Sequence, residues 1–100
     1  MKKNRFEIGQ ATESGFIKGF YLDQESFRYI FDDHKEVEEE EIKPLNSQQE
    51  FPQPKYNLGD KTNEGIIGGI LFEDGYLYTF YSDFYLEETT WIAEELLRPA

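Results

Sequence analysis

The chain repeats itself at a fixed distance. A shift of fifty sets Phe6-Glu7-Ile8-Gly9-Gln10 over Tyr56-Asn57-Leu58-Gly59-Asp60. Thr12 then falls on Thr62, Gly15 on Gly65, Ile17 on Ile67 and Gly19 on Gly69. Further along, Phe27 meets Leu77, Phe31 meets Tyr81 and Asp33 meets Asp83. After an insertion of five residues in the second copy, residues 37–45 match residues 92–100 through a shared apolar–acidic–apolar–basic–Pro ending. Self-similarity of this kind predicts a duplicated structural unit. Residues 1–45 form repeat 1, residues 56–100 form repeat 2, and the polar residues 46–55, with Pro52 and Pro54, read as a semi-extended linker. A unit of about forty-five residues sits near the lower limit for independent folding, so the two copies are expected to pack together and unfold as one.

Within each copy the dominant period is two. Residues 15–22 and 65–72 are apolar, β-branched or aromatic, and residues 26–31 and 76–81 continue in the same style. The joints are Asp23-Gln24-Glu25 and Glu73-Asp74-Gly75, of which Asp-Gly is a strong hairpin signal. Gly19 and Gly69, inside their strands, predict a bulge or a close backbone approach. Simple alternation places Ile17, Gly19, Tyr21, Tyr29 and Phe31 on one inward face, with Ile67, Gly69, Leu71, Thr79 and Tyr81 as counterparts. The opposite faces, carrying Phe16, Phe20, Leu22 and Ile30 or Ile66, Ile70, Phe72, Tyr78 and Phe80, are apolar as well, which predicts contact between copies or subunits. At the end of each copy, Val37 and Ile42 lie five apart, too wide for one helical stripe. A strand, one helical turn and a further strand suit both endings better, with a short helix near 93–96 as the alternative in the second.

Five short strands with a helical turn before the last predict an all-β chain of two small half-open barrels. The series Ile8-Gly9, Gly15-Phe16-Ile17-Lys18-Gly19, Phe27 to Asp33 and Ile42-Lys43-Pro44-Leu45 resembles a Tudor-type SH3-like barrel. The second copy resembles it through Leu58-Gly59-Asp60, Gly65 to Gly69, Leu77 to Asp83 and Leu96-Leu97-Arg98-Pro99. The resemblance implies two tandem SH3-like barrels and a binding role. It also implies an aromatic cage for methylated lysine or arginine, held by cation–π attraction, whose later wall falls near Tyr81, Phe84 and Tyr85. The loops of the earlier wall, residues 11–14 and 61–64, bring no aromatic.

The net charge of −11 is divided unevenly: residues 1–5 carry +3, each copy carries −7 and the linker balances. Direct binding to phosphate backbones is disfavoured at this charge. Zero cysteines remove disulfides and thiolate metal sites and suit a reducing compartment. No apolar run reaches membrane-spanning length, and the basic start leads into no apolar stretch, so a cytoplasmic location without membrane contact is expected. His34 lies in a charged loop, Asp33 and Asp83 read as strand-end turn residues, and Gly68-Gly69 lacks the lysine of a phosphate loop. No catalytic, metal or cofactor site is therefore expected, and the chain reads as non-enzymatic.

The expected function is a protein-interaction module of two acidic Tudor-like barrels. The alternative is an acidic inhibitor or nucleic-acid mimic that binds a basic nucleic-acid-handling protein or a toxin. The candidate partner-binding residues are Tyr81, Phe84 and Tyr85 on the aromatic side and Glu38, Glu39, Glu40 and Glu41 on the acidic side. The partner is a protein, a basic one where charge steers association. The apolar outer strand faces offer a route to a homo-oligomer.

Overall fold

The two longest β-branched and aromatic runs become the two longest strands and meet at the centre of the molecule. The computed structural model describes residues 3–23, 25–81 and 90–100. The first segment holds β1 (Gln10–Thr12), β2 (Gly15–Asp23), β3 (Ser26–Phe31), β4 (Glu36–Glu38), a 3-10 turn (Glu39–Glu41) and β5 (Pro44–Gln48). The second holds β6 (Lys61–Thr62), β7 (Gly65–Phe72), β8 (Tyr76–Phe80), β9 (Ile92–Ala93) and a 3-10 turn (Glu94–Leu96). The chain is all-β among the described residues, and each pairing is antiparallel. The main path runs β4-β3-β2-β7-β8-β9 and does not close on itself; β1 joins β2 and β5, and β6 joins β7. Both endings are strand and 3-10 turn, not α-helix. Residues 46–48, expected as linker, are the end of β5.

The bulge foreseen at the internal glycines is present in both segments. The register slips between Ile17 and Gly19 on β2, and between Ile67 and Gly69 on β7. Its consequence for the faces overturns simple alternation. Ile17 faces Phe31, Phe20 faces Tyr29 and Leu22 faces Phe27, so Ile17, Phe20 and Leu22 share one face. That face is the core, where Ile17, Phe20, Phe27, Tyr29 and Phe31 pack with Val37 and Ile42. Gly19, Tyr21 and Ile30 lie on the reverse side. An extra residue in a strand flips the parity of everything beyond it. On β7 the same slip puts Ile67 and Ile70 in the core with Tyr76 and Tyr78. Full burial of a side chain such as Ile17, Ile67 or Phe27 contributes about 1.5–3 kcal/mol.

The second hairpin also corrects the alignment. Two residues separate the paired Asp23 and Ser26, whereas three separate the paired Phe72 and Tyr76. Leu22 and Phe72 correspond, yet Leu22 faces Phe27 and Phe72 faces Tyr76, so Phe27 corresponds to Tyr76 and not to Leu77. By the same shift Tyr29 corresponds to Tyr78, and Phe31 to Phe80. The hydroxyls agree. Tyr29 donates to Glu39 Oε2 and Tyr78 to Glu94 Oε2, both at 2.5 Å. Each phenol oxygen also accepts from the entering chain, Tyr29 from the amides of Arg5 and Phe6 (3.0 and 3.3 Å) and Tyr78 from that of Tyr56 (3.3 Å). Further bonds recur: Gly9 N–H to the Ile17 carbonyl (2.7 Å) and Gly59 N–H to that of Ile67 (2.9 Å). Thr12 and Thr62 hydroxyls donate to the Gly15 and Gly65 carbonyls, both at 2.9 Å.

The seam between the segments is β2 on β7. Phe20 stands opposite Ile70, Gly19 opposite Leu71 and Tyr21 opposite Gly69. Exchanging each residue for its counterpart fifty positions away returns the same three pairs, so the seam has local two-fold symmetry. The backbones pass too closely for side chains at two of these positions. A Cβ on Gly19 would lie 2.7 Å from the Leu71 Cα, and one on Gly69 would lie 2.5 Å from the Tyr21 Cβ.

Candidate functional site

Among the described residues, a concave cleft lies along this seam. Phe20 and Ile70 form its floor, and Ile8 and Leu58 line it from the first and second segments; the cleft has a volume of about 780 Å³. Its rim carries carboxamides, including Asn4 and Asn57, and one stretch of wall is the connection from Gln48 to Pro54.

The connection is pinned at both ends and held in the middle by aromatic chemistry. Gln49 N–H donates to the Gly9 carbonyl at 2.8 Å, and Lys55 N–H donates to Glu94 Oε2 at 2.9 Å. Between them, the Tyr76 hydroxyl donates to the Pro52 carbonyl at 2.5 Å. The Phe51 ring lies 5.0 Å from that of Phe72, which lies 5.0 Å edge-on from that of Tyr76. Burial, and secondarily the nearby Glu94 carboxylate, raise the Tyr76 phenol above its ordinary value, so it stays protonated and remains a donor.

The acidic candidates lie at one end of the sheet. β4 pairs only with β3 among the described residues, and the Glu39–Glu41 turn follows it directly. Glu38 accepts from Arg28 at 3.3 Å and Glu39 from Tyr29, so these two are engaged within the fold. Glu40 and Glu41 are exposed, as are Asp32, Asp33 and Glu36 nearby in sequence. Glu36 accepts from the Tyr21 hydroxyl at 2.5 Å, and Tyr21 meets Trp91 edge-to-face at 6.1 Å, a contact that bridges the two segments. Burial first, and the Glu36 bond second, push the Tyr21 phenol well above its ordinary range.

The aromatic candidates are not brought together in the described residues. Tyr81 follows β8, is 44% exposed and donates its amide to the Ile66 carbonyl at 2.7 Å. Phe84 and Tyr85 lie outside the described residues. His34 sits 3.4 Å from Glu73, on the second hairpin. Among the described residues no group of three or more His, Cys, Asp or Glu side chains is arranged to hold a metal ion. No helix there is long and apolar enough to cross a membrane. The large apolar side chains left exposed, Leu45, Ile66, Tyr81 and Leu96, belong to different elements.

No family model, curated protein or solved structure matches the chain.

The sequence places Phe72 and Tyr76 in the apolar runs 65–72 and 76–81; what it does not show is their meeting with Phe51 and Pro52, or the Tyr29–Glu39 and Tyr78–Glu94 pairs. An alignment that allowed one deletion in the second hairpin would have superposed the two tyrosines. Phe72 and Tyr76 flank Asp74-Gly75, so the hairpin signal itself already placed them side by side.

Proposed function

We propose that the chain is a non-enzymatic interaction module, two tandem Tudor-like, SH3-like small barrels that dock a basic protein on an acidic sheet edge. One observation carries this reading. The terminal strand β4 and the turn after it leave Glu40 and Glu41 exposed and, among the described residues, without a cation within 4.0 Å. A strand edge flanked by carboxylates repels a second acidic copy and attracts a basic partner. Glu38 and Glu39 already hold Arg28 and Tyr29, so the reading rests on Glu40 and Glu41. Cytoplasmic partners and an inhibitor that occupies the basic groove of a nucleic-acid-handling protein both fall within this reading.

The test is capture of basic proteins by the immobilised chain, with elution in steps of salt. The wild-type chain should release its partner at moderate ionic strength, and a Glu40→Lys, Glu41→Lys variant should fail to capture it. Equal capture by both chains would remove the acidic edge from the account. Displacement of bound nucleic acid from the partner would select the inhibitor form.

A further inference from the structure

The connection between the segments is seated like a ligand. From Glu50 to Pro54 it adopts no regular structure and, among the described residues, makes one hydrogen bond, from the Tyr76 hydroxyl to the Pro52 carbonyl. The Phe51 ring meets that of Phe72 and also lies close to Gly9. Proline-rich segments offer carbonyls and few amides, keep an extended shape at low entropic cost and favour aromatic surfaces. A phenol donor beside an aromatic wall satisfies those properties.

The fold does not require this arrangement. At the corresponding positions the first segment carries Leu22 and Phe27, an aliphatic side chain and a ring with no hydroxyl. That segment keeps the bulge, the Tyr–Glu pair and the 3-10 turn without an aromatic wall and donor of this kind. The Phe72–Tyr76 pair is therefore an addition to the scaffold. A basic residue closes the segment: Lys55 follows Pro54 and its ammonium lies over the Tyr56 ring at 5.8 Å, while its backbone amide donates to Glu94.

We propose that the Phe72–Tyr76 groove recognises an extended aromatic-Pro-x-Pro segment followed by a basic residue on a partner protein, and that residues 51–55 of this chain are its intramolecular occupant. The proposal rests on the interaction-module reading and gives the partner's docking segment a chemistry. The tethered occupant competes at an effective concentration on the order of millimolar, so the partner binds fully only when residues 51–54 lift away.

The test uses the full chain and a fluorescein-labelled peptide of residues 49–56, followed by fluorescence anisotropy. A variant with Phe51→Ser, Pro52→Gly and Pro54→Gly vacates the groove; circular dichroism checks that it remains folded. The peptide should bind this variant at least ~10-fold more tightly than wild type. Adding Tyr76→Phe should weaken that binding by roughly 5–10-fold. A peptide with both prolines replaced by alanine should not compete. Should the vacated variant unfold, wild-type chain titrated with millimolar peptide must show amide shifts centred on residues 72–78. No binding, binding insensitive to Tyr76→Phe, or shifts elsewhere would overturn the proposal. Tyr76-dependent self-association of the full chain without peptide binding would also overturn it, since the occupant would then be a second copy. Glu40→Lys and Glu41→Lys should leave peptide affinity within about 2-fold, which separates failure of the groove from failure of the acidic edge.

Discussion

The first and second segments share a hydrogen-bond skeleton but fill it differently. Both have the bulged central strand, the threonine at the turn into it and the tyrosine clasped by a glutamate. In the first, Phe20 packs against Phe27 and Tyr29 with ring centroids 5.9 and 6.0 Å apart, and the aromatic cluster is internal. In the second, Ile70 takes the place of Phe20, and the aromatics form a row from Phe72 through Tyr76 and Tyr78 to Tyr56. The row reaches the inter-segment connection at Phe51 and Pro52. The lesson is that backbone register and polar anchors define the unit, while the identity of apolar residues decides whether the unit closes on itself or holds another segment.

The largest effects are expected at the positions where the two segments touch. Gly69→Ala and Gly19→Ala place a methyl group against fixed backbone and should each destabilise by ~3 kcal/mol or more in urea unfolding. Gly75→Ala, at φ +125° but in open space, should cost only about 1–2 kcal/mol. Equal losses at all three glycines would show that turn geometry, and not the seam, dominates.

A smaller effect sharpens the shared skeleton. Tyr29→Phe and Tyr78→Phe should each lower stability by about 1–2 kcal/mol, since each removes one donor from a carboxylate and leaves the Phe6 or Tyr56 amide without its acceptor. A loss confined to one of them would mean that the two clasps are not equivalent. The same phenols give an alkaline signature. Burial, and next the glutamate bond, raise the Tyr29 and Tyr78 phenols above their unfolded values, outweighing the opposing backbone amides. The folded state therefore holds these protons more tightly than the unfolded one, and their contribution is complete below the ordinary phenol range of about 10. It is lost as pH rises above that range toward the raised folded values. Tyrosinate absorbance titrated against circular dichroism should show a fraction of phenols ionising only as the fold is lost.

The smallest effect belongs to the acidic edge. Glu40→Gln and Glu41→Gln should change stability by no more than about 0.5 kcal/mol while weakening partner capture, because neither side chain has a partner within the described fold.

Much of this architecture could be read from the sequence. The glycines at positions 15, 19, 65 and 69 located the central strands and the bulges, and the acidic runs at residues 38–41 and 94–95 located the 3-10 turns. Face assignment failed because a bulge moves Ile17 and Phe20 to the same side, and alternation was carried across it unchanged. The alignment failed beyond the second hairpin because one residue more in that turn shifts β8 against its counterpart. The groove was hidden for a different reason. Phe51 and Pro52 are far in sequence from Phe72 and Tyr76, and they meet only in the folded chain.

Pairing of β2 with β7 is expected to make one cooperative unit of two halves too small to stand alone. Native-state hydrogen exchange in low denaturant tests it most directly. Amides of Phe20 and Tyr29 in the first segment and of Ile70 and Tyr78 in the second should open with the same free energy and the same denaturant dependence. Retained protection in β7 and β8 after β2 and β3 have exchanged would contradict the account.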